Sequence, residues 1–499
     1  MASSAKKSAI LGYTTILFNI ITGLFYTPWM IKQIGVSDYG LFTLICTFLS
    51  YFLLDFGLGN AVSRFVSKYK EEGKHDKISE LLSVVVKVFA ILDFLIFLIL
   101  FICYFFISDI FISFTPQEID KFKIIYCIAG FFSLLSFPFS YLNGILIAFE
   151  EFVCLKTSDL IYRILVVILV VICLLNGYGL YALVFVNSSV GIIIVGYKLR
   201  FIYKKIRIPI NFSYFNTKML VELLRFSSWV FVIGVASRLM YNIIPTLLGR
   251  YGNPEEVAKF SIAMMIEGYL YTFASALNGL FLPRVMRITI QESDGRKLTE
   301  LMIKVARIQL IVVGAIITGF MIIGKDFIEI WLGQDFRISY WVTLCLILPG
   351  IVSLIEEIGN TALIATNELK CRAIIYIIAS IISIGGGCLL IPSLGALGAG
   401  IAVNISLVFC HVIAMNYLYR VKLRIDLRSF FTASLLRYIP LMLICSAIMF
   451  AFTHFITLHG VWGLIIEAVL FGLIYIPLLW LIYLNNDEKT LFSNILRRF

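Results

Sequence analysis

Long apolar runs recur along the whole chain, each closed by a cluster of charges or by glycine, proline and asparagine. Fourteen of them are predicted to cross a membrane, at 10–31, 39–61, 81–107, 123–149, 155–175, 180–201, 221–248, 258–282, 304–330, 338–366, 371–391, 397–419, 434–457 and 461–484. A helix needs about 20 residues to cross a hydrocarbon layer of ~30 Å. The runs are too long for the strands of a membrane barrel, so the pattern predicts an all-α polytopic membrane protein.

Composition agrees. Hydrophobic residues make up 61% of the 499 and charged residues 14%, against about 25% charged in a soluble domain. The net charge of +11 does not point to nucleic acid, because the basic residues sit in short loops between apolar runs. With an even number of spans, 32 of the 41 lysines and arginines fall on the side that holds both termini and seven on the other, while Lys87 and Arg238 lie within spans. Basic residues favour the cytoplasmic side, so both termini are expected there.

The ten cysteines occur singly, with no C-x-x-C pair, and no phosphate-binding glycine loop is present. A disulfide framework, a zinc site and a self-contained nucleotide-driven pump are therefore not expected. No catalytic residue, metal or cofactor is expected, and a coupling ion, H⁺ or Na⁺, is left open.

The two halves resemble each other. GILIAFEEF (144–152) matches TALIATNEL (361–369), and Asn187 with Ser189 matches Asn404 with Ser406, both at an offset of 217. Tyr51 and Asn60 match Tyr269 and Asn278 at 218. A near-constant offset indicates a duplicated six-helix unit in parallel orientation. The expected organisation is an N-terminal lobe at 1–201, a basic cytoplasmic linker at 202–220 lying against lipid headgroups, a second lobe at 221–420, and two accessory helices with a tail at 421–499.

Ionisable groups inside spans are costly and mark function by default. Arg238 lies at the middle of the seventh span and shares one helical face with Gly234, Tyr241, Asn242 and Pro245. It is read either as lining a cavity or as a structural partner of a carboxylate on another helix. Asp55 and Lys87 lie at similar depths in the second and third spans and are expected to pair. Asp93 is placed either opposite Arg238 or as a coupling acid. Glu267 begins a polar stripe with Tyr271, Ser275 and Asn278, at a depth within reach of Arg238. Glu356 and Glu357 follow the Pro349–Gly350 break and point about 100° apart, so they do not form a paired acid site. Arg64 and its counterpart Arg284 flank the cytoplasmic entrance, where a guanidinium can grip a diphosphate in a bidentate fork. Gly385–Gly387 reads as a close-packing or hinge site. Tyr241 and Tyr271 are candidates for stacking on sugar rings.

The stretches IGVSDYGLF (34–42), LLDFGLGNAVSRFV (53–66), NGILIAFEEF (143–152) and EIWLGQDF (329–336) resemble the Wzx-type polysaccharide biosynthesis flippases. That family belongs to the superfamily (MOP) that also holds MATE exporters and lipid II flippases. The resemblance implies two six-helix lobes around a central cavity, in the cytoplasmic (inner) membrane of a bacterium. It also implies an undecaprenyl-diphosphate-linked oligosaccharide as substrate, for O-antigen (lipopolysaccharide), capsule or a related polymer. A polymerase and a chain-length regulator would then be partners beside membrane lipids. Many relatives carry an acid in the seventh span where this chain has Asn242, which sets that position apart from ion coupling. Two other readings are a MATE-like exporter of organic cations and a membrane-embedded glycosyltransferase or polymerase. The second of these is disfavoured because the longest external segment, 108–122, holds only Asp109, Glu118 and Asp120 as acids.

Overall fold

The computed structural model describes residues 2–53, 55–208, 211, 214–278, 285, 287–288, 295–366, 368–455, 460–486 and 488–490. Arg284 and the side chain of Asn278 lie outside the described residues. The described residues are helical throughout, with no strand. Eleven helices are long and apolar enough to cross a membrane, and Val36–Ser50 is apolar but shorter.

Two compact units divide the chain, Met1–Ser261 with Ser383–Gly395, and Ile262–Ile382 with Ala396–Phe499. The first holds α1 (Ala2–Ile34), α2 (Val36–Ser50), α3 (Leu58–Glu71), α4 (His75–Ile110), α5 (Pro116–Ser136), α6 (Tyr141–Ala148), α7 (Phe152–Leu175) and α8 (Leu180–Lys205). It continues with α9 (Thr217–Tyr241), α10 (Ile243–Tyr251) and the start of α11 (Pro254–Asn278). The unit boundary therefore differs from the repeat boundary: the seventh span, α9 and α10, packs on α2, α3 and α4.

The second unit holds α12 (Arg296–Gln309), α13 (Ala315–Leu332), α14 (Arg337–Ile355) and α15 (Glu357–Ala365). It also holds most of α16 (Leu369–Leu407), then α17 (Asn416–Leu423), α18 (Leu427–Ala433), α19 (Leu435–Phe455) and α20 (Gly460–Leu478). Three π-helical turns interrupt it, at Leu310–Gly314, Val408–Met415 and Leu479–Tyr483.

Two expected spans are built differently from the pattern. The second is not continuous: α2 stops at Ser50 and α3 starts at Leu58, with Gly57 at φ 70° between them, a left-handed conformation that glycine adopts without a Cβ clash. The eleventh and twelfth, expected as separate runs, form one helical stretch, Leu369–Leu423, kinked at Gly395. The eighth, α11, is not among the eleven apolar helices, and it carries Glu255, Glu256, Lys259 and Glu267.

Within the first unit, α3 and α6 approach at a glycine. A Cβ on Gly144 would stand 2.5 Å from the Gly59 carbonyl oxygen and 3.2 Å from the Val62 Cβ. Backbone cannot yield as a flexible side chain can, so Gly144→Val is expected to destabilise by the overpacking cost of about 1–3 kcal/mol or more. Its melting temperature in detergent should fall below wild type; an unchanged value would show that the two helices separate at no cost. The Gly385–Gly387 stretch also packs closely: a Cβ on Gly387 would stand 2.9 Å from Leu247 Cδ1, and Ser383 Oγ donates to the Met240 carbonyl at 2.7 Å.

In the second unit the accessory helices are tied to α12 and α13. Arg307 donates through Nε and Nη2 to Glu488, both at 2.6 Å, and to the carbonyls of Ala433 and Tyr483, both at 2.7 Å. Its guanidinium also lies 4.5 Å from the Tyr483 ring centroid. Deeper in, Thr318, Tyr438 and Tyr475 form a chain of hydroxyls at 3.0 and 3.1 Å, and Tyr475 donates at 3.3 Å to Ile311 O of the first π-turn.

Candidate functional site

The break in the second span organises the polar groups of the first unit. A helix end leaves its last carbonyls without intrahelical partners and carries partial negative charge. At the end of α2 the Arg238 Nη1 donates to the carbonyl of Ser50. Asn242 Nδ2 donates to Ser50 Oγ at 3.1 Å. Tyr51 Oη donates to the Asn242 carbonyl and lies 2.9 Å from Thr246 Oγ1. Asn242 is itself the joint between α9 and α10; Pro245 has no N–H to give the carbonyl of Tyr241, so the helix cannot run through regularly.

The other side of the break is complementary. Asp55 accepts from the backbone N–H groups of Gly57 at 3.1 Å and Gly59 at 3.2 Å, at the positive start of α3. Phe56 stacks on Phe231 of α9, centroids 4.3 Å apart. Each half-helix terminus thus meets a charge of opposite sign: a carboxylate at the N-terminus of α3 and a guanidinium at the C-terminus of α2.

This geometry revises several expectations. Asp55 and Lys87 do not pair. Asp55 is engaged by α3, and Lys87 Nζ donates to the Tyr214 carbonyl at 3.1 Å and lies over the Phe215 ring. The linker is stitched to α4 there, with Asn211 N donating to Ser83 Oγ at 2.9 Å. Arg238 is half-buried, and its partner is a main-chain carbonyl in place of a carboxylate; no hydrogen bond or ion pair joins it to Asp93 among the described residues. Asp93 keeps one oxygen, Oδ1, buried without a partner. Arg64 is exposed at the surface of α3, and Tyr241 is half-buried beside Asn242.

The second unit gathers a different set. Glu356 sits in the break between α14 and α15 and is fully buried. Asn416 Nδ2 donates to Glu356 Oε1 at 2.5 Å and to the His411 carbonyl at 2.8 Å. Glu357 turns away and accepts from Asn360 Nδ2 at 3.2 Å, and Asn360 Oδ1 in turn accepts from Tyr419 Oη at 3.0 Å. Arg372 lies over the Tyr376 ring at 5.2 Å and within electrostatic reach of Glu357. Tyr271 is half-exposed, near Glu267, Glu357 and Arg372. Glu267 makes no hydrogen bond or ion pair among the described residues. The sequence placed Glu356 correctly on a break, but not Asn416 and His411, which come to it from a π-turn 55 to 60 residues on. A lone histidine in an apolar run (408–415) was the available signal.

Discontinuous helices with charge-complemented ends, inside an all-α protein with many spans, define the class: a multi-pass membrane protein built like a transporter. The chain belongs to the family described as polysaccharide biosynthesis protein, whose profile matches residues 5–289. Comparison with curated protein sequences finds no match. Among solved structures, the chain is similar to lipid II flippase MurJ in an inward closed conformation, with a TM-score of 0.71 at 18% identity over 94% of this chain and 98% of that one. It is also similar to an inward-facing multidrug resistance MATE family transporter of the MOP superfamily, with a TM-score of 0.67 at 14% identity over 83% and 98%. A eukaryotic MATE transporter aligns at 0.59 and 15% identity over 84% and 96%. At these identities the likeness is one of fold.

Proposed function

We propose that this protein is a flippase, not an enzyme, that carries polyprenyl-diphosphate-linked oligosaccharide units from the cytoplasmic to the outer leaflet of a bacterial cytoplasmic membrane. The observation that carries the reading is membership of a polysaccharide biosynthesis family by a chain whose fold is shared with a lipid II flippase. O-antigen, capsule or a related polymer would be the destination, with a polymerase and a chain-length regulator downstream and both termini in the cytoplasm. The two-lobe reading, 1–201 and 221–420, supplies the parts that rock in alternating access.

In this reading Arg238 serves the substrate's anionic diphosphate with the donors that Ser50 does not take. A guanidinium offers five N–H groups in a rigid fork, and only the bond to Ser50 is made within the described residues. Arg64 and Arg284 receive the headgroup at the cytoplasmic entrance, and Tyr241 and Tyr271 offer faces to sugar rings. Net direction requires that the ligand or a coupled ion bind the two states differently.

Deleting the gene in its native host should leave lipid-linked repeat units accumulating unpolymerised. Sensitivity to organic cations without that accumulation would overturn the flippase in favour of a drug exporter.

A further inference from the structure

We propose that Glu356 and His411 form a proton-binding site, at which Glu356 holds one proton in this arrangement and releases it when α15 and the π-turn Val408–Met415 part. Proton binding stands on the geometry below. Its use in driving transport rests on the flippase reading.

Glu356 is fully buried, His411 is 2% exposed and Asn416 4%. Glu356 makes no ion pair among the described residues; its one partner is the neutral amide of Asn416. An ionised carboxylate without a countercharge costs several kcal/mol in such a place, and taking up a proton removes that cost.

The hydrogen-bond inventory points the same way. Three polar atoms of this one cluster are buried without partners: Glu356 Oε2, Asn416 Oδ1 and His411 Nδ1. The first two can only accept when Glu356 is ionised, so the ionised cluster lacks a donor. One proton on Oε2 supplies an O–H, and Asn416 Oδ1 or the imidazole Nδ1 supplies its acceptor. On release the O–H bond breaks, its electron pair stays on the carboxylate, and the proton passes to the imidazole or to water.

The surrounding charges leave this proton in place. On α15, Glu357 is an acid and adds none. On α16, Arg372 is the nearest cation, and it is taken up by Tyr376 and Glu357. The π-turn and α17 add only the weak acids Cys410 and Tyr419 near Glu356, and on α12 Arg307 is held by Glu488 while Lys304 is exposed.

An alkali-metal ion fits less well. Such hard cations take a shell of oxygens, and here one of the three open atoms is an imidazole nitrogen; no group of three or more His, Cys, Asp or Glu suited to a metal occurs among the described residues. Both backbone irregularities also meet here, the break before α15 and the π-turn, and π-turns inside helices concentrate at functional sites.

Carbonyl-region infrared spectra of the purified full chain in lipid nanodiscs, recorded across a pH series in sodium-free buffer, test this. Wild type should show the band of a protonated carboxyl at neutral pH. Glu356→Gln, a neutral mimic of the acid, should fold and lose that band, and Glu357→Gln should keep it. His411→Asn should retain the fold and shift the pH at which the band disappears. Absence of the band in wild type, its persistence in Glu356→Gln, or its removal by adding sodium chloride at constant pH would each overturn the proton site. None of these readings requires a lipid-linked substrate, so their failure is separate from failure of the flippase reading.

Discussion

Arg238→Ala is expected to abolish transport while leaving a protein that still inserts, and Arg238→Lys to retain part of the activity. The alanine variant loses the donor to Ser50 O, so the last turn of α2 faces an apolar surrounding with an unsatisfied carbonyl. A hydrogen bond from a charged group contributes about 1.5–3 kcal/mol, and the favourable charge at the negative helix end adds up to ~2 kcal/mol in partly buried geometry. Lysine can still donate to one carbonyl but offers no planar fork. Thermal unfolding in detergent, read beside complementation of a flippase-deficient strain, separates the two roles. If Tyr51→Phe, which frees the Asn242 carbonyl at the same joint, lowers the melting temperature but keeps transport, Arg238 contributes more than the cap. Normal polysaccharide export by Arg238→Ala would return it to a purely structural role.

Arg307→Ala should cost more stability than any other single change considered above. Removing one partner of a buried pair destabilises by about 3–5 kcal/mol, because the remaining charge and carbonyls lose their partners. Here those are Glu488 and the carbonyls of Ala433 and Tyr483, at the cytoplasmic ends of the accessory helices. The variant should unfold at lower temperature and expose the segment after Tyr483 to limited proteolysis; wild-type resistance would contradict the clasp. The pH dependence has a definite sign. Burial tends to raise the Glu488 carboxyl, but the hydrogen bonds from Arg307 and from Asn485 N outweigh it and hold the group below its ordinary value. Its contribution is therefore complete above the ordinary glutamate range, near ~4.3, and is lost as pH falls through the lower folded value. The clasp should be insensitive to pH across the neutral range and weaken only in acid.

Much of the architecture was legible in the apolar runs, because a bilayer allows few ways to satisfy a backbone and length alone identifies most helices. The break in the second span was not, although the residues that make it were in view. Asp55, Gly57 and Gly59 fall in an apolar run, and Asp followed by glycine is ordinary helix punctuation, as Asp55 shows by accepting from both glycine N–H groups. Hydropathy averages over such a window and reports one span.

The stretches that carry the family resemblance prove to be packing devices. Gly57 and Gly59 shape the break, Gly144 admits the backbone of Gly59, Asp38 pairs with Lys121 at 2.6 Å, and Ser37 bonds Glu118 at 3.2 Å. They identify the fold without identifying the cargo. Arg238 was conspicuous because an arginine in an apolar helix is costly, but its partner was not readable, since a free carbonyl at a helix end leaves no mark in the side-chain sequence. Glu356 was equally visible, while its companions Asn416 and His411 depend on a π-turn that no periodicity announces.

The most direct test of the flippase is made in vesicles. Purified protein is reconstituted with a polyprenyl-diphosphate-linked oligosaccharide placed in one leaflet, and an externally added glycosidase reports how much headgroup has changed sides. Wild type is predicted to bring the protected headgroups within reach of the enzyme, with Arg238→Ala matching protein-free vesicles. Headgroups that stay protected in the presence of folded wild-type protein, across substrates of several sugar compositions and with a pH gradient of either sign, would contradict it.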